Sequence, residues 1–366
     1  VWGARDGSVR ACDAKTGAAR WTTYTGGAIR FPPEIADGRV YVGSGDGWVY
    51  CLVMATGERL WRFRAAPAER KIAIHGRLLS TWPVGSGVLV ADGVVYAAAG
   101  IASYDGTHVY ALDAESGKIR WQNNTSGRLV REDLVTGVSV QGHLLLHEDR
   151  LYLAGGNIVS PAMYKLSDGA CLNEIDNEWL REPSTTERFP SRPKGSMFQR
   201  SPRGRELFLV DGKVRVFDDL LYSPPRYQRA GYFSGRFLQA SRGDVVIRGN
   251  VEKLMRIAPE LGEDGKPQVI WENQDFAEPR ALALGANAVV IMGEARREQV
   301  VGAENVGKED AEPVEHFLIK ALSVNDGKEM WSHGLPARPV SWGLALDREG
   351  RAVVTLEDGR VLCFGS

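Results

Sequence analysis

Short runs of apolar residues alternate with polar turns along most of this chain, and the turns recur in one form. Two apolar runs are joined by Asp-Gly or a similar pair, as in Ala36-Asp37-Gly38-Arg39 and Ala91-Asp92-Gly93-Val94. Asp-Gly favours a tight hairpin, because both central residues of a type I′ turn need positive φ. Further copies lie at residues 147–150, 210–213, 241–244, 285–288 and 348–351. Each copy predicts an antiparallel pair of strands, named A and B here.

A second pattern follows most of these hairpins and ends in tryptophan. It reads Ala11-Cys-Asp-Ala-Lys-Thr-Gly-Ala-Ala-Arg-Trp21, and it returns at residues 51–61, 111–121 and 321–331. We interpret each copy as a strand C, a tight turn at glycine and a strand D ending near the tryptophan. We expect each indole to cover the backbone of the neighbouring repeat while its N–H finds a hydrogen-bond acceptor.

Repeats of this size predict an all-β propeller in which each four-stranded antiparallel sheet forms one blade. Counting the hairpins and tryptophan turns gives eight blades, and we predict a single propeller domain over residues 1–366. Seven blades is the alternative, if the weak unit at residues 205–233 is an insertion. The first unit lacks a strand A and the last lacks a strand D, so we expect an upstream segment to complete one or both.

The tryptophan phrase resembles the repeat of bacterial quinoprotein dehydrogenases and of the propeller lipoprotein that assists outer-membrane assembly. The resemblance covers nearly the whole chain and weakens between residues 174 and 239, while residues 61–87 are similar to uncharacterised environmental propellers named PQQ-binding-like. It implies a periplasmic or extracellular location. Quinoprotein enzymes of this kind use a vicinal cysteine pair, a calcium ion held by Glu and Asn, and a catalytic Asp. This sequence shows no such set, although Arg70 and Lys71 could contact quinone carboxylates and Trp82 could stack on the quinone.

Composition limits the partners. The formal net charge of the 366 residues is −1, which gives no overall attraction to nucleic acid or to an anionic membrane surface. No apolar run is long enough to span a bilayer. The four cysteines form no CxxC motif, and Cys51 and Cys363 occupy a strand-C position where we expect small buried side chains.

The longest predicted loops connect strands D to A or strands B to C, and such loops emerge on one face of a propeller. Two of these loops are basic: one contains Arg62, Arg64, Arg70, Lys71 and Arg77, and the other contains Arg188, Arg192, Lys194, Arg200, Arg203 and Arg205. Guanidinium groups pair well with carboxylate, sulfate or phosphate, so this long-loop face favours an anionic ligand. The alternative is a solvated surface whose charge is balanced by the acidic residues of loop 304–315.

We predict a ligand site on the long-loop face, with His143 as the strongest catalytic candidate because innermost strands line the mouth of the channel. The candidate binding residues are Arg70, Lys71, His75, Arg77 and Trp82, and the candidate catalytic residues are His143, His108 and Tyr104. His143 and His147 lie four residues apart on a strand, which separates them by about 13 Å. A shared metal ion is therefore not expected, and no metal site is predicted.

Three functions remain open. We favour a binding or scaffold module for an anionic small molecule, an acidic glycan or a protein partner. The first alternative is a lyase acting on acidic polysaccharides, with a His or Tyr base and Arg70 neutralising a uronate carboxylate. The second is a quinoprotein oxidoreductase. We predict no bound cofactor, and pyrroloquinoline quinone with calcium is the alternative.

Overall fold

Short antiparallel strands make up nearly all of the regular structure in the computed structural model. It describes residues 1–74, 77–131, 134–140, 142–155, 159–173, 206–210, 213–217, 238–242, 245–249, 253–261, 267–296 and 316–365. The chain divides into two compact units, Val1–Asp218 and Asp219–Ser366. Within the described residues the helices are two 3₁₀ turns, Ser103–Asp105 and Ser126–Arg128.

The first unit contains five consecutive sheets and two additional hairpins. Sheet 1 has β1 (Trp2–Gly3), β2 (Ser8–Cys12) and β3 (Ala19–Tyr24), and sheet 2 has β4 (Glu34–Ala36), β5 (Arg39–Gly43), β6 (Trp48–Val53) and β7 (Arg59–Arg64). After the hairpin β8 (Lys71–Ile74) and β9 (Arg77–Ser80), sheet 3 has β10 (Val84–Ala91), β11 (Val94–Ala99), β12 (His108–Asp113) and β13 (Ile119–Asn123). After the hairpin β14 (Leu129–Arg131) and β15 (Leu134–Thr136), sheet 4 has β16 (Leu144–His147), β17 (Arg150–Leu153) and β18 (Ala162–Lys165), and sheet 5 has β19 (Glu206–Val210) and β20 (Lys213–Phe217).

The second unit repeats the arrangement in three sheets. Sheet 6 has β21 (Leu238–Arg242), β22 (Val245–Gly249), β23 (Leu254–Leu261) and β24 (Pro267–Asn273). Sheet 7 has β25 (Phe276–Leu284), β26 (Ala288–Ala295), β27 (Phe317–Ser323) and β28 (Glu329–Leu335), and sheet 8 has β29 (Pro339–Leu346), β30 (Ala352–Leu356) and β31 (Val361–Phe364). The sheets follow the predicted repeats in order, and the number of blades stays a prediction.

The Asp-Gly hairpins form as predicted. Asp37 and Gly38 have φ of 49° and 69°, and Asp92 and Gly93 have φ of 49° and 70°. Each pair is left-handed at both central positions, which is the geometry that a type I′ turn requires. Neighbouring strands then pair in sequence order within every four-stranded sheet. The turn residues and the apolar alternation together therefore determined the strand order.

Sheets 2, 3, 4 and 7 are each packed against a neighbouring sheet on both faces. In β11, Val95, Ala97 and Ala99 pack with sheet 2, whereas Tyr96 and Ala98 pack with sheet 4. Alternate residues of a strand point to opposite faces, so a strand buried on both faces is apolar at every position. The hydrophobic core is accordingly a series of separate layers between consecutive sheets.

The repeated tryptophans join one sheet to the next, as the sequence predicted. Four of the indoles lie over the glycine turn of the following sheet, in the pairs Trp21 with Gly57, Trp61 with Gly117, Trp121 with Gly169, and Trp271 with Gly327. A Cβ at these glycines would lie 2.3 to 2.8 Å from the ring. Each indole N–H donates to the carbonyl three residues before the glycine, at 2.8 to 3.2 Å. Glycine therefore allows both the positive φ of the turn and the close approach of the indole ring.

Two details differ from the expectation. Sheet 4 has no full strand D in the described part, where a single bridge joins Tyr164 to Cys171. Cys51 is buried as expected, but Cys363 is exposed. Cys363 lies on β31, the edge strand of a three-stranded sheet, so the expectation of burial was wrong at this position. All four cysteines are free thiols.

Candidate functional site

The long-loop face of the first unit is built from the two hairpins and the two 3₁₀ turns. The loop from sheet 2 to sheet 3 carries β8–β9, and the loop from β11 to β12 carries the turn Ser103–Asp105. Close backbone contacts hold these loops to their neighbours. A Cβ on Gly127 would lie 2.7 Å from the Thr107 nitrogen, and one on Gly137 would lie 2.2 Å from the Ser126 carbonyl oxygen. The loops are thus packed onto each other.

Arg70, Trp82 and Asp105 form an interlocked cluster on this face. The Arg70 guanidinium pairs with the Asp105 carboxylate at 2.5 Å, and its Nε donates to Thr81 Oγ1 at 3.0 Å. The same guanidinium lies 4.7 Å from the centre of the Trp82 ring. The Trp82 indole N–H donates to the Asp105 carbonyl at 2.7 Å. Two predicted binding residues therefore meet, but they bind each other and Asp105.

The cluster of Arg70, Trp82 and Asp105, called the clamp below, determines what Arg70 can contribute to ligand binding. The Arg70 side chain is 54% exposed, so an added ligand could reach it, but its charge is already matched by Asp105. Trp82 is only 8% exposed. The clamp fixes the 3₁₀ turn Ser103–Asp105 to the loop that carries β8–β9, which gives this part of the face one defined shape.

Three exposed side chains project from that fixed base. Lys71 begins β8 and is exposed, Leu78 of β9 is 67% exposed, and Tyr104 of the 3₁₀ turn is 76% exposed. His75 lies outside the described residues, as does the side chain of Arg77. Among the described residues, the accessible part of the predicted site therefore combines Lys71, a cation without a described acidic partner, with aromatic and aliphatic surface.

His108 stands at the start of β12 and is partly buried. Its Nδ1 is buried without a hydrogen-bond partner among the described residues. A Cβ on Gly106 would lie 3.3 Å from its Nε2. Burial lowers the pKa of His108, because desolvation disfavours the imidazolium form. Burial therefore favours the neutral imidazole over the imidazolium at this position.

His143 lies just before β16 and packs edge to face on Phe31, with ring centroids 4.7 Å apart. Phe31 also covers Gly87 of β10, where a Cβ would lie 2.6 Å from the Phe31 Cβ. Phe31 precedes β4 of sheet 2, Gly87 lies on β10 of sheet 3 and His143 precedes β16 of sheet 4. His143 thus takes part in a packing contact between three consecutive sheets.

Arg62 and Arg64, which the sequence grouped with the first basic loop, lie on β7 instead. The Arg62 guanidinium lies 4.4 Å from the centre of the Trp48 ring. The side chains of Arg62 and Arg64 are exposed. The second basic stretch, residues 188–205, and the acidic loop 304–315 fall outside the described residues, so their charge balance stays a prediction.

Sequence reasoning missed Asp105, although a repeated signal was present. An Asp-Gly pair precedes strand C at Asp6, Asp46, Asp105 and Asp358. In three copies the carboxylate accepts a hydrogen bond from the backbone N–H two residues later, at 2.9 to 3.0 Å. Asp105 instead pairs with Arg70. The recurring acid could have suggested a partner for the basic loop, but its choice of Arg70 depends on the three-dimensional packing.

No described helix has the length and apolar character needed to cross a membrane. Among the described residues, no group of three His, Cys, Asp or Glu side chains gathers at a distance suited to a metal ion.

Relatives exist for parts of this chain. Residues 5–178 match the family model described as outer membrane protein assembly factor BamB. The serine/threonine-protein kinase AfsK of Streptomyces griseus is 36% identical over 141 residues, which are 37% of this chain and 16% of the kinase. The quinohemoprotein alcohol dehydrogenase ADH-IIG of Pseudomonas putida is 31% identical over 87 residues, which are 20% of this chain and 12% of the dehydrogenase. The chain thus spans under a fifth of the length of either relative.

Among solved structures, the computationally designed Ika8 protein resembles the whole chain. The TM-score is 0.58 at 14% sequence identity, and the match covers 100% of this chain and 92% of Ika8. At this identity the likeness concerns the fold alone. The strand order, the tryptophan contacts and the family match over residues 5–178 all indicate a β-propeller repeat.

Proposed function

Since the chain is a β-propeller built from PQQ-like repeats, we propose that it acts as a binding or scaffold module whose long-loop face holds an anionic ligand or an acidic partner. The observation that carries this proposal is the clamped platform on that face. Arg70, Trp82 and Asp105 fix two loops to each other, and exposed Lys71 and Tyr104 project from them. A preformed surface loses little conformational entropy on binding.

The ligand chemistry follows from which side chains are accessible. Lys71 supplies a charge that no described acid neutralises within 4.0 Å, and Tyr104 supplies an aromatic ring. A carboxylate-bearing sugar offers both a charge for the ammonium group and a C–H face for the ring. An acidic protein surface would offer the Lys71 ammonium group the same carboxylate partner. The ammonium and the ring therefore favour an acidic glycan or acidic protein over a neutral ligand.

Pyrroloquinoline quinone, which the repeat type implies, does not fit the residues that the sequence offered for it. Trp82 is buried, carries Arg70 over its ring and uses its N–H on Asp105, so it presents no open surface for a flat ring system. Arg70 is already paired with a carboxylate. A redox role through these residues is therefore not part of the proposal.

The test compares binding of polygalacturonate and of neutral dextran by calorimetry at low and high salt. Lys71→Ala with Tyr104→Ala should weaken polygalacturonate binding several-fold, because an exposed ion pair contributes about 0.2–1 kcal/mol. Lys118→Ala is the matched control: Lys118 is an equally exposed lysine on the C–D turn of sheet 3. Binding should also weaken with salt, since exposed charges are screened.

Arg70→Ala with Lys71→Ala is a second variant, and its thermal midpoint separates a broken clamp from a lost contact. Unchanged binding in both double variants, or a preference for dextran, would remove the anionic-ligand proposal.

We also propose a periplasmic or extracellular location, supported by the outer-membrane protein that names the matching family model. Immunodetection in fractionated cells tests it, and recovery with the cytoplasmic fraction would contradict it.

A further inference from the structure

The outermost strand of sheet 2, β7, carries three arginines at positions fixed by its pairing with β6. Arg59, Arg62 and Arg64 pair across to Leu52, Tyr50 and Trp48 of β6. These three partners alternate along β6, so they lie on one face of the sheet. The register shift at Leu60 places two residues of β7 opposite one position of β6, which is a β-bulge. Because of that bulge, Arg59 joins Arg62 and Arg64 on the same face.

The register makes this group specific to sheet 2. In sheet 1 the matching positions of β3 are Ala19, Thr22 and Tyr24, and in sheet 3 they are Ile119, Gln122 and Asn124. In sheets 6 and 7 they are Val269, Glu272 and Gln274, and Glu329, Ser332 and Gly334. Among the described outermost strands of these sheets, β7 is the one with three cations in a row.

The three arginines of β7 have no acidic partner among the described residues, whereas arginines at a different position of two neighbouring outermost strands do. Arg20 of β3 pairs with Asp13, and Arg120 of β13 pairs with Asp113 at 2.8 Å. Sheet 2 lacks both members of this pair, with Val53 at the position of the aspartates and Leu60 at the position of Arg20 and Arg120. No described carboxylate lies within 4.0 Å of Arg59, Arg62 or Arg64, and all three are exposed. Asp46 accepts hydrogen bonds from Gly26, Trp48 and Tyr50 instead.

The backbone of β7 is available as well. The strand order of the sheet ends at β7, so none of the described strands pairs with its outer side. An edge strand presents a row of unpaired N–H and C=O groups to a partner. The arginines are spaced by two β6 positions, about 6.7 Å, which equals the spacing of alternate side chains in an added strand. Arg62 is held against Trp48, which orders its guanidinium in advance.

We propose that β7 is a docking edge for an extended acidic peptide segment of a protein partner. The segment would pair with β7 as an additional strand, with carboxylates at alternate positions against Arg59, Arg62 and Arg64. This surface lies on the outer strand and includes neither Lys71 nor Tyr104, and the proposal does not depend on the long-loop face. The charge and the spacing favour an acidic strand over any other occupant.

The experiment measures fluorescence anisotropy of a labelled seven-residue peptide in which glutamate alternates with valine. The protein should bind this peptide at low salt and release it at high salt. A peptide with glutamine in place of glutamate should bind at least tenfold more weakly. A peptide methylated on alternate backbone nitrogens should also lose at least tenfold, because it cannot complete the ladder. Equal binding of the glutamine or the methylated peptide overturns the proposal.

Protein variants locate the contact. Arg62→Ala with Arg64→Ala should lose at least tenfold, and Arg62→Lys with Arg64→Lys should keep most of the affinity. The matched control is Arg20→Ala with Arg120→Ala, which removes two arginines from the neighbouring outermost strands and should change affinity less than twofold. Lys71→Ala should also have no effect, which separates this edge from the long-loop face. If no peptide binds, or if the control variant loses as much, the arginines act only to keep the edge from pairing, and the proposal fails.

Discussion

Replacing Gly117 with alanine should destabilise the first unit far more than the same replacement at Gly17. Both glycines occupy the turn between strands C and D, with φ of 69° and 71°. Alanine in this left-handed conformation costs about 1–2 kcal/mol at either site. A Cβ at Gly117 would also lie 2.8 Å from Trp61 Cδ2, whereas no described atom lies within 4 Å of one at Gly17.

The additional cost at Gly117 comes from moving the Trp61 ring. A methyl group inserted into a packed contact costs about 1–3 kcal/mol. A shifted ring also weakens the hydrogen bond from Trp61 Nε1 to the Ala114 carbonyl, now 3.2 Å, which contributes about 1 kcal/mol. The expected loss is therefore roughly 3–6 kcal/mol for Gly117→Ala and about 1–2 kcal/mol for Gly17→Ala.

Urea unfolding followed by far-ultraviolet circular dichroism measures both losses. A double-mutant cycle with Trp61→Ala assigns the cause, because removing the indole should abolish most of the additional cost of Gly117→Ala. Equal losses of stability in the two glycine variants would contradict a cost from the Trp61 contact. Losses from Gly117→Ala and Trp61→Ala that simply add would contradict it as well.

Two further predictions concern pH and redox chemistry. Burial lowers the pKa of His108 below its ordinary value near 6.5, so its contribution to stability is present above that value and is lost as pH falls through the lowered pKa. The thermal midpoint of the native protein should therefore fall more steeply below pH 6.5 than that of His108→Gln, and parallel curves would contradict the assignment. We also expect no dye reduction with alcohols or sugars after incubation with pyrroloquinoline quinone and calcium, because the vicinal cysteines and the calcium ligands of quinoproteins are missing from the sequence. Stoichiometric quinone binding by titration, with turnover, would overturn this expectation.

The candidate site was predictable only in part. Arg70 and Trp82 were chosen because basic and aromatic residues fell in one long loop, and they do meet. Their partner Asp105 lies 35 residues further along the chain, and no local pattern pairs it with Arg70. Arg62 and Arg64 were placed in the same loop because the sequence does not show where β7 ends. Only the structure assigns them to a strand and to one face.

The sequence by itself determined the repeat: strand alternation, Asp-Gly hairpins and the glycine turn that precedes each repeated tryptophan. These features are local, because turn conformation and side-chain alternation depend on residues that are close along the chain. The tertiary structure decided which charges are neutralised and which are accessible. The Asp105 pair with Arg70 and the bulge that aligns Arg59 with Arg62 depend on how loops and strands pack. Arg70 and Asp105 are 35 residues apart, and the bulge depends on the register between two strands, so neither could be read from composition and spacing alone.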